Sequence, residues 1–128
     1  MAGSVGKIVW TGRVLSGLAS IAFLMSAVVK LTGSQQLTEG MAHLGLPDAM
    51  VRPLAILELS CVVLYLIPKT SVLGAILLAG YMGGAICTHW RVGDVFVTQA
   101  ALGVLVWLGL WLREPRLRAL LPLRWSAS

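Results

Sequence analysis

TSVLGAILLAGYMGGAICTHW, residues 70–90, contains no Asp, Glu, Lys or Arg. As a helix rising about 1.5 Å per residue it is about 30 Å long, the thickness of a bilayer's hydrocarbon core. Its small residues, Gly74, Ala75, Ala79, Gly80, Gly83, Gly84 and Ala85, let neighbouring backbones come close. In lipid, helices are held by such packing rather than by the hydrophobic effect. The segment is therefore expected to be a central, tightly contacted transmembrane helix, whose small face could equally meet a second copy of the chain.

Three more apolar stretches flank it. One spans 95–112, carries no charged residue and is flanked by Asp94 and Arg113. One spans 50–67, ends before Pro68, carries Pro53 near its start and is interrupted by Glu58. The first spans about 8–31; Arg13 and Lys30 lie inside its ends, where long cationic side chains can reach the interface. It lacks a small-residue cleavage site and matches the later spans in length, so it is expected to stay as an anchor. The short spacers at 68–69 and 91–94 make successive helices antiparallel neighbours. The predicted fold is all-α: one integral membrane domain over 1–128, a four-helix bundle with spans at about 8–31, 50–67, 70–90 and 95–112.

Composition agrees. Of 128 residues, 58% are hydrophobic and 12% charged, with mean hydropathy +0.88. A soluble domain this small cannot hide so much apolar surface. The formal net charge of +5 does not point to nucleic acid, because the cations sit beside apolar runs, where they set orientation and meet lipid headgroups. Seven of them (Lys7, Arg13, Lys69, Arg113, Arg116, Arg118 and Arg124) fall on the side of both chain ends, against Lys30, Arg52 and Arg91 on the other. The positive-inside rule places both termini in the cytoplasm, in an inner, cytoplasmic membrane.

Two segments lie outside the spans. Leu37, Met41 and Leu44 recur at helical spacing between Ser34, a candidate N-cap, and Gly45. This is read as a short helix on the outer membrane surface. The tail Arg113–Trp125 mixes arginine, leucine, proline and tryptophan; it suits an interfacial anchor or a plain surface tail.

Glu58 is the most informative residue, since a carboxylate within a span is costly unless paired, protonated or wetted. Cys61 and Tyr65 share its face at helical spacing. The topology brings Lys30, Thr88, His89, Arg91, Thr98 and Gln99 to the same side of the membrane, beneath the surface helix with Glu39 and His43. The expectation is a polar pocket with apolar walls opening toward the outer leaflet. Glu58 and His89 are the candidate catalytic pair, and Lys30, Arg91, Tyr65, Thr88 and Gln99 the candidate binding groups. Glu58 with Lys30 or Arg91 makes an ion pair; with His89 it makes an acid–base pair. Inward-facing Ser16, Ser20, Phe23, Ala27 and Lys30 form a stripe on the first span. Buried ion pairs also fix helix register, and that alternative stays open. Cys61 and Cys87 lack CxxC spacing and read as inert. His43 and His89 show no metal-ligand spacing, so no metal is expected, and no phosphate loop, nucleophile elbow or haem motif is present.

Lys30-Leu31, Gly45-Leu46-Pro47, Leu57-Glu58-Leu59, Ile67-Pro68-Lys69-Thr70 and Leu73-Gly74-Ala75-Ile76-Leu77-Leu78 form a pattern with Gly80-Tyr81-Met82-Gly83-Gly84-Ala85-Ile86-Cys87-Thr88-His89 and Arg91-Val92-Gly93-Asp94. The pattern resembles the DoxX-like family of small bacterial four-helix membrane proteins. The resemblance implies a shared polar centre at Lys30, Glu58, His89 and Arg91. The wider group includes subunits of quinone-linked sulfur oxidation and membrane redox complexes. Three functions are carried forward. One is binding of, or acid–base chemistry on, a quinone-, isoprenoid- or lipid-like molecule, with no resident cofactor and quinone as a candidate ligand. The second is a non-catalytic accessory subunit docking to a membrane partner. The third is a small-solute or proton pathway as a homo-oligomer.

Overall fold

A computed structural model describes residues 2–124. Trp125, read above as part of the tail, lies outside them. The described residues form six helices and no strand: α1 (Ala2–Thr32), α2 (Gln35–Leu44), α3 (Val51–Leu66), α4 (Ser71–Arg91), α5 (Val97–Arg113) and α6 (Pro115–Arg118). Single 3-10 turns at Asp48–Met50 and Pro68–Thr70 lead into α3 and α4. Pro53 sits in the first turn of α3, where its missing N–H costs nothing. The helix at the N-terminal end begins before the expected residue 8, because the segment ahead of Lys7 contains no proline to stop it.

Three helical segments are long and apolar enough to cross a membrane: Gly6–Thr32, Asp48–Leu66 and Pro68–Arg91. Val97–Arg113 is apolar but shorter, at 17 residues. The four long helices close a ring in which α1 packs on α3 and α5, and α4 packs on α3 and α5. Neighbours run antiparallel, as the pairings Ser16 with Tyr65 and Ser26 with Glu58 require. The core between them holds Phe23, Val62, Tyr65, Leu78, Val106 and Leu110. On α1, Ser16, Ser20, Phe23 and Ala27 are buried, which fits the inward stripe. Large apolar side chains such as Trp10, Met25, Ile56, Ile76 and Val104 stand exposed around the outside.

Close backbone approaches are not confined to α4. A Cβ at Gly12 would lie 2.7 Å from the Gly109 carbonyl oxygen, and one at Gly109 would lie 2.5 Å from Ser16 Oγ. α1 and α5 thus touch backbone to backbone. Gly74 does the same for α4 against α3, where a Cβ would strike the backbone of Tyr65 and Leu64. The expected tight face along the rest of α4 is not found: added Cβ atoms at Gly80, Gly83 or Gly84 meet nothing within 4 Å. α4 is pinned at one end and stands clear at the other, and that clearance makes room for a cavity. The tail folds back, with Leu117 buried in the core and Trp111 Nε1 donating to the Leu121 carbonyl at 2.9 Å.

Candidate functional site

α2 stands over the open end of the ring. Ser34 caps its start, accepting from the Leu37 N–H at 3.0 Å. Gly45, at φ 75°, closes it with Gly45 N donating to the Ala42 carbonyl and Leu46 N to the Met41 carbonyl, the paired bonds of a Schellman ending. The caps satisfy terminal N–H and C=O groups that a short helix leaves open, and no long helix packs extensively on α2. It bears on the rest through Met41 and Leu44, which are buried. Two contacts fasten its C-terminal end to the α4–α5 connection. His43 Nε2 meets Asp94 Oδ1 and Oδ2 at 2.9 and 3.0 Å, and the Arg91 guanidinium donates to the Leu44 carbonyl.

Beneath α2 is a cavity of about 850 Å³, near the upper end of the range for small-molecule sites. Its wall is mostly apolar, drawn from every long helix: Phe23 from α1, Leu54 and Leu57 from α3, Leu77 and Met82 from α4, Leu102 from α5. Set into this wall is Glu58, 1% exposed. Lys30 Nζ donates to its Oε2 at 2.9 Å, and the hydroxyls of Ser26 and Tyr81 donate to the same oxygen at 3.3 Å each. Lys30 also donates to Ser26 Oγ at 2.6 Å. Thus α1, α3 and α4 converge on one atom. A carboxylate out of water needs such donors, because its burial cost is otherwise several kcal/mol. Glu58 Oε1 receives no hydrogen bond from the described residues.

His89 lines the same cavity but does not bond Glu58. Its Nδ1 lies 2.8 Å from the Ala85 carbonyl, which only accepts, so Nδ1 carries a proton. Nε2 faces the Gln99 side-chain nitrogen at 3.4 Å. Both ring nitrogens are occupied, and the expected acid–base pair with Glu58 is not formed.

The other expected residues divide. Lys30 is the cation that pairs with Glu58. Thr88 and Gln99 line the cavity, although the Thr88 hydroxyl is spent on the Gly84 carbonyl at 2.8 Å. Arg91 does not reach Glu58; its guanidinium is drawn to the end of α2, whose last carbonyls lack helical partners. Tyr65 is not at the cavity. It is fully buried, its hydroxyl bridging Ser16 Oγ at 2.8 Å and the Val106 carbonyl at 2.7 Å. Seven residues along a helix is about 10 Å, so sharing a face with Glu58 leaves Tyr65 at a different depth. His43 and Asp94, not among the expected site residues, pair with each other. Ser26 and Tyr81 were not singled out; Ser26 stands one turn before Lys30 on the same face, a spacing that could have found it. Among the described residues no group of three His, Cys, Asp or Glu is placed to hold a metal ion.

The sequence profile of the DoxX-like family matches residues 14–112. The chain belongs to the DoxX-like family. The match begins within α1 and ends within α5, so it takes in Lys30, Glu58, Tyr81, His89 and Gln99. Neither a curated protein nor a solved structure matches the chain. Membership and the apolar helices together make this DoxX-like chain a multi-pass membrane protein.

Proposed function

We propose that this DoxX-like protein is a four-helix transmembrane bundle that binds an apolar molecule carrying a polar head, of the quinone, isoprenoid or fatty-acyl type, drawn from the bilayer into the cavity beneath α2. The observation that carries this reading is the convergence of Lys30, Ser26 and Tyr81 on one oxygen of Glu58 at the wall of an otherwise apolar cavity. A pair serving only to fix helix register needs no space beside it.

The membrane setting follows from the surface. Trp10, 63% exposed with the Arg13 guanidinium 5.2 Å from its ring centre, marks one interface. Trp90, 67% exposed and against Phe96, marks the other. Tryptophan and arginine collect at such boundaries. α5, at about 25 Å, spans with modest local thinning. The seven cations at the chain-terminal end put that end in the cytoplasm of an inner membrane, and the cavity then opens toward the outer leaflet. Chemically, Glu58 is the group able to take a proton from a bound head while Lys30 offsets developing negative charge. His89 acts at one remove, by orienting Gln99. An accessory subunit would need no cavity, and a small-solute or proton pathway through one ring would need continuity through its packed end.

The test is an inventory of small molecules. Protein in lipid nanodiscs, extracted and weighed by mass spectrometry, is expected to hold a species beyond the disc lipids. Leu102→Trp and Ala85→Leu, which fill the cavity, are expected to lose it while keeping their helical spectra. Identical inventories in all three proteins would overturn the reading.

A further inference from the structure

The cavity's unsatisfied atoms say what kind of head it takes. The constraints run in sequence from one backbone carbonyl. Because the Ala85 carbonyl accepts from His89 Nδ1–H, the neutral ring has a lone pair on Nε2. A lone pair must be met by a donor, so the Gln99 amide presents its nitrogen to His89 at 3.4 Å rather than its oxygen. That leaves Gln99 Oε1 buried with no partner, at a residue that lines the cavity. On the opposite wall all three donors go to Glu58 Oε2, and Oε1 takes none from the described residues. Gln99 Oε1 is shut off behind the wall, so the acceptor without a donor that an occupant of this mostly apolar space can meet is Glu58 Oε1. A buried acceptor without a donor is costly, and the molecule that fills the space is the available source of one.

We infer that the site selects an apolar molecule with a neutral hydroxyl head, an alcohol or phenol, over its ether or carbonyl counterpart; this rests on the binding function proposed above. A hydroxyl donates to Glu58 Oε1, and its own lone pairs suit Lys30, whose ammonium has three N–H groups and two protein acceptors. An ether or ketone only accepts, and leaves that oxygen unpaired. A cationic amine donates but brings a second positive charge beside Lys30. Glu58 is accordingly the specificity residue.

The experiment measures binding of dodecan-1-ol, 1-methoxydodecane and dodecan-1-amine to the full chain in nanodiscs. The alcohol is expected to bind about tenfold tighter than the ether, the usual cost of one orphaned buried acceptor. Glu58→Gln is expected to narrow that ratio mainly by weakening the alcohol, with ether binding unchanged; Gln99→Leu, whose lost oxygen is shut off from the space, is expected to retain it. Because these are changes in a ratio within one folded protein, a general loss of structure cannot imitate them. Equal binding of alcohol and ether, or tightest binding of the amine, would overturn the inference and leave the cavity reading intact. Binding of none of the three would overturn both.

Discussion

The two ends of the helical ring are built on opposite principles. At the end near the chain termini, Gly12 and Gly109 bring α1 and α5 into backbone contact, Gly74 lets α4 lie on α3, and Tyr65 ties three helices through one hydroxyl. Arg113 lies over the Tyr65 ring, 5.0 Å from its centre. At the other end the helices stand apart, glycines in α4 face open space, and charged groups take the place of close packing. The contrast teaches that glycine in a membrane helix has two uses, to draw backbones together or to leave volume unfilled. Only the neighbouring element decides which.

The comparison is broken most forcefully at the packed end. Gly12→Leu or Gly109→Leu drives a side chain into a facing backbone, a cost of about 3 kcal/mol or more. Thermal unfolding in detergent should show both variants severely destabilised or unfolded, whereas Gly80→Ala and Gly83→Ala should melt close to the parent. Equal sensitivity at both ends would erase the distinction.

The next largest effect is expected at the ion pair. Glu58→Leu strands Lys30, and breaking a buried pair from one side typically costs about 3–5 kcal/mol. Lys30→Met combined with Glu58→Leu should recover much of that stability while ligand binding stays lost. A double variant as unstable as the single one would mean that the pair is not what holds these helices in register.

The tyrosines sharpen the contrast further. Tyr65→Phe should cost about 1–3 kcal/mol by orphaning the groups it bridges, with binding untouched. Tyr81→Phe should change stability less and binding more. A reversed pattern would mean that the polar cluster has been placed at the wrong end.

The smallest effects are at the periphery. Asp94→Asn weakens the hold on α2, and a partly exposed pair of this kind contributes about 0–1 kcal/mol. Hydrogen exchange should quicken in α2 with little change in melting temperature. In the tail, the Arg116 side chain and backbone N–H bond the Glu114 carboxylate and hold it below the usual carboxylate range. Its folded pKa lies below its unfolded one, so the contribution is complete at neutral pH and is lost as pH falls through the carboxylate range and then past the folded value. The protection factor of the Leu117 amide, bonded to the Glu114 carbonyl, should fall on acidification once the slower intrinsic exchange at low pH is divided out, and Glu114→Gln should lose that dependence.

How much of this was legible in the sequence depends on the kind of signal. The long apolar helices were, because uncharged apolar stretches of that length have few other uses. The cap residues Ser34 and Gly45 were, because capping is local. Glu58 with Lys30 stood out for the rarity of charge in apolar segments. Depth was harder. Periodicity put Tyr65 on the face of Glu58, but face and depth are separate coordinates, and depth is fixed by contacts with α1 and α5. Arg91 was read as a partner for Glu58 on charge alone, whereas its reach is taken by the α2 terminus. Gly12 went unremarked although Gly12, Ser16 and Ser20 follow a small-residue spacing of four. Gly109 has no such companions, and its role becomes evident only where α1 crosses it.

The most direct test of the central claim is an experimental density map of the protein in a lipid disc, read at Glu58. The account predicts the carboxylate paired with Lys30 inside the ring, with non-protein density beside it beneath α2. A carboxylate turned outward among acyl chains, or side chains closing the space beneath α2, would contradict it.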